Sequence, residues 1–305
     1  MKISIIGTGK LGSTLAYTLA IKQLANEISL VEPLTPDIAR GHCIDIQHAL
    51  TMAGHMNIFS GGYETTADAD IIIITTGVPR KQGETRLDLA EKNVEITKQV
   101  LSNILNYNQS GILILASNPI DITTYTALKI SGFPVERVLG IGTLLDSMRL
   151  RFLLSEAANL DPKSIEAIVI GEHGDSAVPV ISTATVNGIP ISEASGLTPE
   201  DIVKTIEKVK TFGHDLLILK GGSTYAPALA ISDIIDAIVN DQHKIMPLSV
   251  HVQGEYGLEN ICISLPVRIG KSGVEEIIQI KLTEDEQTRL NLSAGILESE
   301  IANIK

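Results

Sequence analysis

A glycine-rich turn between an apolar strand and an amphipathic helix most restricts what this 305-residue chain can become. Ile3-Ser4-Ile5-Ile6 is a short apolar run that stops at Gly7. Gly7-Thr8-Gly9-Lys10-Leu11-Gly12 follows. Leu11, Leu15 and Leu19 then recur at helical spacing, with Ala16 and Ala20 small enough to let the helix lie close to a sheet. A GxGxxG string alone is a weak signal, since glycine loops are common. A strand before it and a helix after it give it meaning. The glycines permit a tight turn and close approach of a bound group to the backbone, and the helix N-terminus presents unpaired N–H groups suited to phosphates.

The alternation continues. Ile28-Ser29-Leu30-Val31 reads as a second strand, and a helical pattern covers residues 37–50. Ile71–Ile74 is a run of isoleucines, the pattern of a strand buried on both faces. A loop rich in Gly, Pro and charge spans residues 77–85, and a helix pattern runs on to about Tyr107. Residues 112–115 form another buried strand, ending at Ser117-Asn118-Pro119, and Val138-Leu139-Gly140 closes the series. Strands alternating with helices predict an α/β fold, a doubly wound parallel sheet of the Rossmann type. After about residue 142 the rhythm changes. Helices are predicted over 144–158, 200–212, 224–240 and from 284 onward, with strands over 165–170, 246–252 and 261–268. The expected organisation is a nucleotide-binding domain over residues 1–141 and a mixed α+β catalytic or substrate domain over 142–305, with no flexible linker.

Composition narrows the partners. Hydrophobic residues are 44% and charged residues 20%, which supports a sizeable core. Aromatics are 3% and Trp is absent, so that core must be aliphatic. The net charge of −12 repels phosphate backbones and anionic lipid heads, so neither nucleic acid nor membrane is an expected partner. No apolar run reaches the ~20 residues of a bilayer span. Met1-Lys2 leads directly into the first strand pattern without a signal-peptide pattern, and the expected location is the cytoplasm. Cys43 and Cys262 lack CxxC spacing and read as reduced, buried thiols. No HxH, HExxH or Cys/His cluster appears, so no metal site is expected.

Glu32 ends the second strand, 20 residues past Gly12. A carboxylate there can accept hydrogen bonds from ribose hydroxyls and would repel a 2′-phosphate, which favours NAD over NADP. On these residues alone, S-adenosylmethionine or FAD stays open as the ligand.

Three further segments carry chemistry: residues 77–89 (GVPRKQGETRLDL), Asp146-Ser147-Met148-Arg149 on a predicted helix, and Gly171-Glu172-His173-Gly174-Asp175. With Ser117-Asn118-Pro119-Ile120-Asp121 and the N-terminal glycine loop, they resemble the L-lactate/L-malate dehydrogenase family along essentially the whole chain. The resemblance implies an NAD-dependent oxidoreductase acting on a 2-hydroxy acid.

The physics of the residues agrees. Reducing a 2-oxo acid needs a proton donor at the carbonyl oxygen, and His173, titrating near neutral pH, suits both directions. Asp146 would hold the other ring nitrogen, fix the tautomer and raise the imidazole's proton affinity. Arg149, three residues on, shares that helix face, and its planar fork suits a bidentate grip on a carboxylate. Without the family pattern, Asp146 and Arg149 would read as an ordinary surface ion pair worth little. By resemblance Arg86 swings in with a closing loop to polarise the carbonyl, and Asn118 hydrogen-bonds substrate oxygen beside the nicotinamide. The resemblance also puts Asn93 and Ala116 on the cofactor side, along with Gly7, Thr8, Gly9, Lys10, Leu11, Gly12 and Glu32.

Specificity in the family turns on a loop position six residues before the mobile arginine, here Arg80. Lactate enzymes carry glutamine there and malate enzymes arginine, because a second carboxylate in a closed pocket needs a paired cation. The expectation is therefore a malate dehydrogenase with a small dicarboxylate substrate. The alternative is an L-lactate or other L-2-hydroxy acid dehydrogenase. Glu84 to Leu89, Glu172 and Ser223 look lactate-like. Ser223 falls near a substrate-pocket position, while Tyr225-Ala226-Pro227-Ala228 looks malate-like. An inactive NAD-binding scaffold is disfavoured by the joint presence of His173, Asp146, Arg149 and Arg86. The family also implies a homo-oligomer, tetramer or dimer.

Overall fold

The computed structural model describes residues 1–78 and 86–304. Six parallel strands form the first half: β1 (Lys2–Ile6), β2 (Glu27–Val31), β3 (Asn57–Gly61), β4 (Ile71–Ile74), β5 (Ile112–Leu115) and β6 (Val138–Gly140). Their order is β3-β2-β1-β4-β5-β6. Helices α1 (Lys10–Lys22), α2 (Pro36–Ala53), α3 (Arg86–Ile104) and α4 (Ile120–Ser131) fill the crossovers. The strand order reverses between β1 and β4, and doubly wound sheets bind ligands at the carboxyl ends beside such a switch. All four β4 isoleucines are fully buried. Burying each contributes on the order of 1.5–3 kcal/mol, so this strand anchors the centre of the sheet.

The second half does not stand apart from that sheet. Strand β10 pairs antiparallel with β6, placing Ser249 opposite Gly140. The remaining elements are α5 (Leu144–Ala158), β7 (Ile165–Ile170), β8 (Val178–Val186), β9 (Ile189–Pro190), α6 (Ile191–Ala194), α7 (Pro199–Lys220), α8 (Tyr225–Val239), β10 (Lys244–Gln253), β11 (Glu259–Gly270), β12 (Gly273–Ile277) and α9 (Glu284–Asn303). Antiparallel β10, β11 and β12 extend the first sheet to nine strands. Gly140 makes this possible: a methyl there would lie 2.3 Å from Thr124 Oγ1 and 3.0 Å from Ser249 Cβ. Strands β7, β8 and β9 form a second sheet, joined to the first by a bridge between Gly171 and Ser264.

Helix ends explain where the long elements begin and stop. Thr198 and Asp201 form a capping box at the start of α7, with Pro199 in its first turn, and Gly221 ends it at φ 77°. Thr283 and Glu286 cap α9 in the same way. Helix α8 packs on α1, and α5 packs on β7 and α7, which ties the glycine loop to the second half. Both cysteines are buried and unbridged, and burial pushes the Cys43 thiol up to about 11. No helix among the described residues is long and apolar enough to cross a membrane.

Candidate active site

The glycine loop is built around two steric facts. Gly7 sits at φ 94°, a left-handed conformation that side chains resist, and a methyl on Gly12 would lie 1.9 Å from Gly7 O. Helix α1 therefore starts in direct contact with the turn. Gly9, its N-cap residue, has no neighbour within 4 Å of where a Cβ would stand, and no side chain caps the helix. Open space, uncapped N–H groups and a helix dipole fit a pyrophosphate. Glu32, at the end of β2, accepts the Thr8 N–H at 2.8 Å through Oε2. One carboxylate oxygen thus pins the loop while the other suits ribose hydroxyls. Lys10 reaches across to Lys220 O at 3.1 Å, and Leu11 packs on the core.

The segment after the carboxyl end of β5 holds two further residues expected on the cofactor side. Ala116 is half-buried there, and Asn118 is exposed. Asn93, on α3, is 1% exposed. Its Oδ1 accepts the Val78 N–H at 2.8 Å, and its Nδ2 donates to Val78 O at 3.2 Å and Asn118 O at 2.7 Å. Both amide protons are thus committed to backbone, so Asn93 braces the segments ending at Val78 and Asn118 against each other.

The chemical centre joins α5 to the turn after β7. His173 Nδ1 lies 2.5 Å from Asp146 Oδ2, and Arg149 Nη1 lies 3.1 Å from Asp146 Oδ1. All three side chains are mostly buried. Burial works against a charged imidazole, but the Asp146 carboxylate, with help from Asp121, outweighs it and holds the His173 pKa above its ordinary value of 6.5. Burial likewise opposes ionisation of Asp146, yet His173 and then Arg149 hold its carboxyl below the ordinary 3.8. With Nδ1 on a carboxylate, Nε2 is the ring atom left to exchange a proton. Gly213 of α7 leaves room for the Arg149 guanidinium, whose Nη1 lies 3.6 Å from where a Cβ there would stand.

Three residues around this centre were passed over in the sequence. Asp121, 2% exposed in the first turn of α4, accepts the His173 backbone N–H at 2.8 Å. Ser264 of β11 reaches Asp121 at 3.4 Å, and Ser293 of α9 accepts the Glu172 N–H at 2.8 Å. Asp121 stood in the sequence within the Ser117–Asp121 motif, but reads there as an ordinary acid at a helix start.

Other predicted positions are placed differently. Ser223 is half-buried in the turn between α7 and α8. Arg80 lies outside the described residues, as does the side chain of Arg86, whose backbone opens α3. Away from the cleft, Asp241, His243 and Glu275 come together at the surface, a grouping absent from the linear sequence. Arg268 and Lys271 pair with two of them, which makes this an ion-pair network.

Fold and site together define an NAD(H)-dependent oxidoreductase. Residues 1–140 match the NAD binding domain of lactate/malate dehydrogenase, and residues 143–305 match the alpha/beta C-terminal domain of the same family. This chain belongs to the lactate/malate dehydrogenase family. An L-lactate dehydrogenase of Lacticaseibacillus casei is 39% identical over 99% of this chain and 94% of its own length. A minor L-lactate dehydrogenase of Enterococcus mundtii, crystallised with ligands bound, superposes with a TM-score of 0.95 at 33% identity, over 100% of this chain and 98% of that one. The malate dehydrogenase of Salinibacter ruber superposes with a TM-score of 0.93 at 32% identity, over 99% and 97%.

These comparisons correct the malate expectation and its dicarboxylate substrate. Curated relatives at 38–40% identity across nearly the whole chain are L-lactate dehydrogenases. The malate expectation rested on one guanidinium, Arg80. A single charge decides specificity only where it is desolvated opposite the substrate, a condition that the residue type alone does not establish. The lactate-like residues 84–89, Glu172 and Ser223 were the better guide.

Proposed function

We propose that this protein is an L-lactate dehydrogenase, interconverting L-lactate and pyruvate with NAD(H). The observation that carries the substrate is the similarity to L-lactate dehydrogenases over nearly the full chain. The His173–Asp146–Arg149 geometry supports the chemistry.

Gly7 to Gly12 and Glu32 would hold NAD(H), which when bound would supply or take up the hydride. The chain's own residues do the rest. Protonated His173 gives its Nε2 proton to the pyruvate carbonyl oxygen as that oxygen becomes a hydroxyl, and neutral His173 takes the proton back from lactate. Asp146 keeps the ring in the required tautomer and stabilises the imidazolium. Arg149 has N–H groups beyond the one on Asp146, and these pair with the 1-carboxylate. Asn118 donates to substrate oxygen, Arg86 polarises the carbonyl, and Ser223 lines the pocket. Glu32 engages the ribose, and Gly7 to Gly12 hold the pyrophosphate. Large apolar side chains exposed on α2 (Met52), α7 (Ile218, Leu219) and α8 (Tyr225) support a homo-oligomer.

The test is NADH oxidation with pyruvate against oxaloacetate. Pyruvate is expected to give the higher kcat/KM, and a higher value for oxaloacetate would overturn the substrate. His173→Asn is expected to lower kcat by about 10²–10⁴ while leaving NADH fluorescence titrations unchanged.

A further inference from the structure

The acid–base histidine is held at two points by two different carboxylates. Asp146 takes the ring, and Asp121 takes the backbone amide of the same residue at 2.8 Å. The two come from different elements, α5 and the first turn of α4. Both are almost fully buried. Burying a carboxylate in a protein interior costs more than burying a neutral acceptor, because its charge must be desolvated as well. A neutral asparagine or serine could accept the same bond. Asp121 Oδ1 also faces Ser264 Oγ at 3.4 Å, and Ser264 in turn accepts the Thr143 N–H at 3.1 Å, just before α5. The Gly171–Ser264 bridge ties the residue two positions before His173 to the same serine.

We propose that Asp121 is a positioning residue for the hydride-transfer reaction, fixing the turn that carries His173 and placing a second carboxylate beside it. The proposal rests on His173 being the acid–base group of the proposed reaction. Among the described residues, the charged groups facing that imidazole are Asp146 and Arg149 from α5 and Asp121 from α4. Arg149 opposes protonation, and Asp146 and Asp121 favour it. Among the described residues, two carboxylates therefore stand against one guanidinium and the cost of burial. Asp121 also faces Cys262 of β11, whose thiol burial and then this carboxylate push up. That thiol stays neutral and leaves the balance at His173 unchanged.

Asp121→Asn separates charge from geometry, since an amide oxygen can still accept the His173 N–H. His173 is read directly by NMR of ring-labelled histidine in the NAD-bound protein, assigned by difference against His173→Asn. The expected result is a downward shift of the His173 titration by about half to one pH unit, smaller than the ~1–3 units a directly paired charge produces. The pH at which 2-oxo acid reduction falls off should move down by the same amount, with KM nearly unchanged. Asp121→Ser, which keeps a neutral acceptor of smaller size, should give the same shift. An unshifted titration in either folded variant would overturn the proposal. In the unmodified protein the His173 amide proton should resonate downfield of its position in Asp121→Asn, because a carboxylate is the stronger acceptor, and an unchanged position would also overturn the proposal. The NMR readouts do not depend on which acid is reduced. If pyruvate fails as a substrate, the substrate assignment falls alone. If turnover on pyruvate is normal and the titration does not move, Asp121's role falls alone.

Discussion

Asp146 spends both of its oxygens on cations, Oδ2 on His173 and Oδ1 on Arg149. That doubling matters because burial opposes charge on each member of the trio. For stability the sign follows from the directions of the shifts. His173 is raised, so its contribution is complete below the ordinary 6.5 and is lost as pH climbs through the raised folded value. Asp146 is lowered, so its contribution is complete above 3.8 and is lost as pH falls through the depressed value. The pair is most stabilising in the acid-to-neutral window between them. Asp146→Asn should remove this window, flattening the pH dependence of Tm between the two limits. It should also lower kcat for 2-oxo acid reduction by roughly 10²-fold or more, since a misheld imidazole loses most of its general-acid effect. Parallel Tm–pH curves for variant and parent would contradict this account. His173, Asp146 and Arg149 were legible in the sequence through the family pattern, with which the glycines around the histidine and the shared helix face of Asp146 and Arg149 agree; spacing alone reads as an ordinary ion pair. Asp121 was not, because its partner is a backbone N–H that only the fold brings within reach. Arg80 was misleading because one position was weighed above residues 84–89 and Glu172, which the similarity over nearly the whole chain favours.

Among the elements, the glycine loop separates stability from binding. Gly12→Ala would drive a methyl into Gly7 O, with no flexible side chain to yield. It should destabilise the fold by about 1–3 kcal/mol, the usual cost of overpacking, and weaken NADH binding because α1 must move. Gly9→Ala meets nothing in the protein. Its stability should stay within about 0.5 kcal/mol of the parent, as at other open surface positions. Its methyl nevertheless stands in the proposed pyrophosphate site, so the Kd for NADH should rise at least about tenfold, equivalent to 1.4 kcal/mol. Melting curves and NADH fluorescence titrations on the two variants check this, and unchanged NADH affinity in Gly9→Ala would refute the assigned phosphate site. The strong periodicities around this loop were readable: β1, β4, β5, α1 and α5 lie where the pattern put them. Strands β3 and β12 went unseen because they are the two edges of the sheet. An edge strand buries fewer side chains, so Asn57–Gly61 and Gly273–Ile277 carry polar residues that hide the alternation. Strand β8 escaped for a similar reason, with Pro179 and the run Ser182-Thr183 interrupting its apolar positions.

At the scale of the whole molecule, the sequence suggested two halves with no flexible linker between them, and one sheet runs through both. The join is narrow and made of small residues. Gly140 admits β10 beside β6, and Gly142, at φ 53°, turns the chain into α5 with its backbone against Ser249 and Ser264. A methyl on Gly142 would lie 2.5 Å from Ser249 N and 2.6 Å from Ser264 Oγ. Asp146 and Arg149 begin only four residues later, so this turn sets both the cohesion of the halves and the aim of the catalytic helix. Gly142→Ala combines a left-handed backbone with a backbone collision, each worth about 1–3 kcal/mol. If the continuous sheet couples the halves, the cost falls on the whole molecule. Calorimetry should then show a single transition at lower Tm, with the far-ultraviolet signal and NADH release melting together. kcat should fall as well, because α5 shifts against His173. Two separated transitions, with the glycine loop still binding NADH after α5 has melted, would mean that the join transmits no stability and that the halves fold as independent units despite their shared sheet.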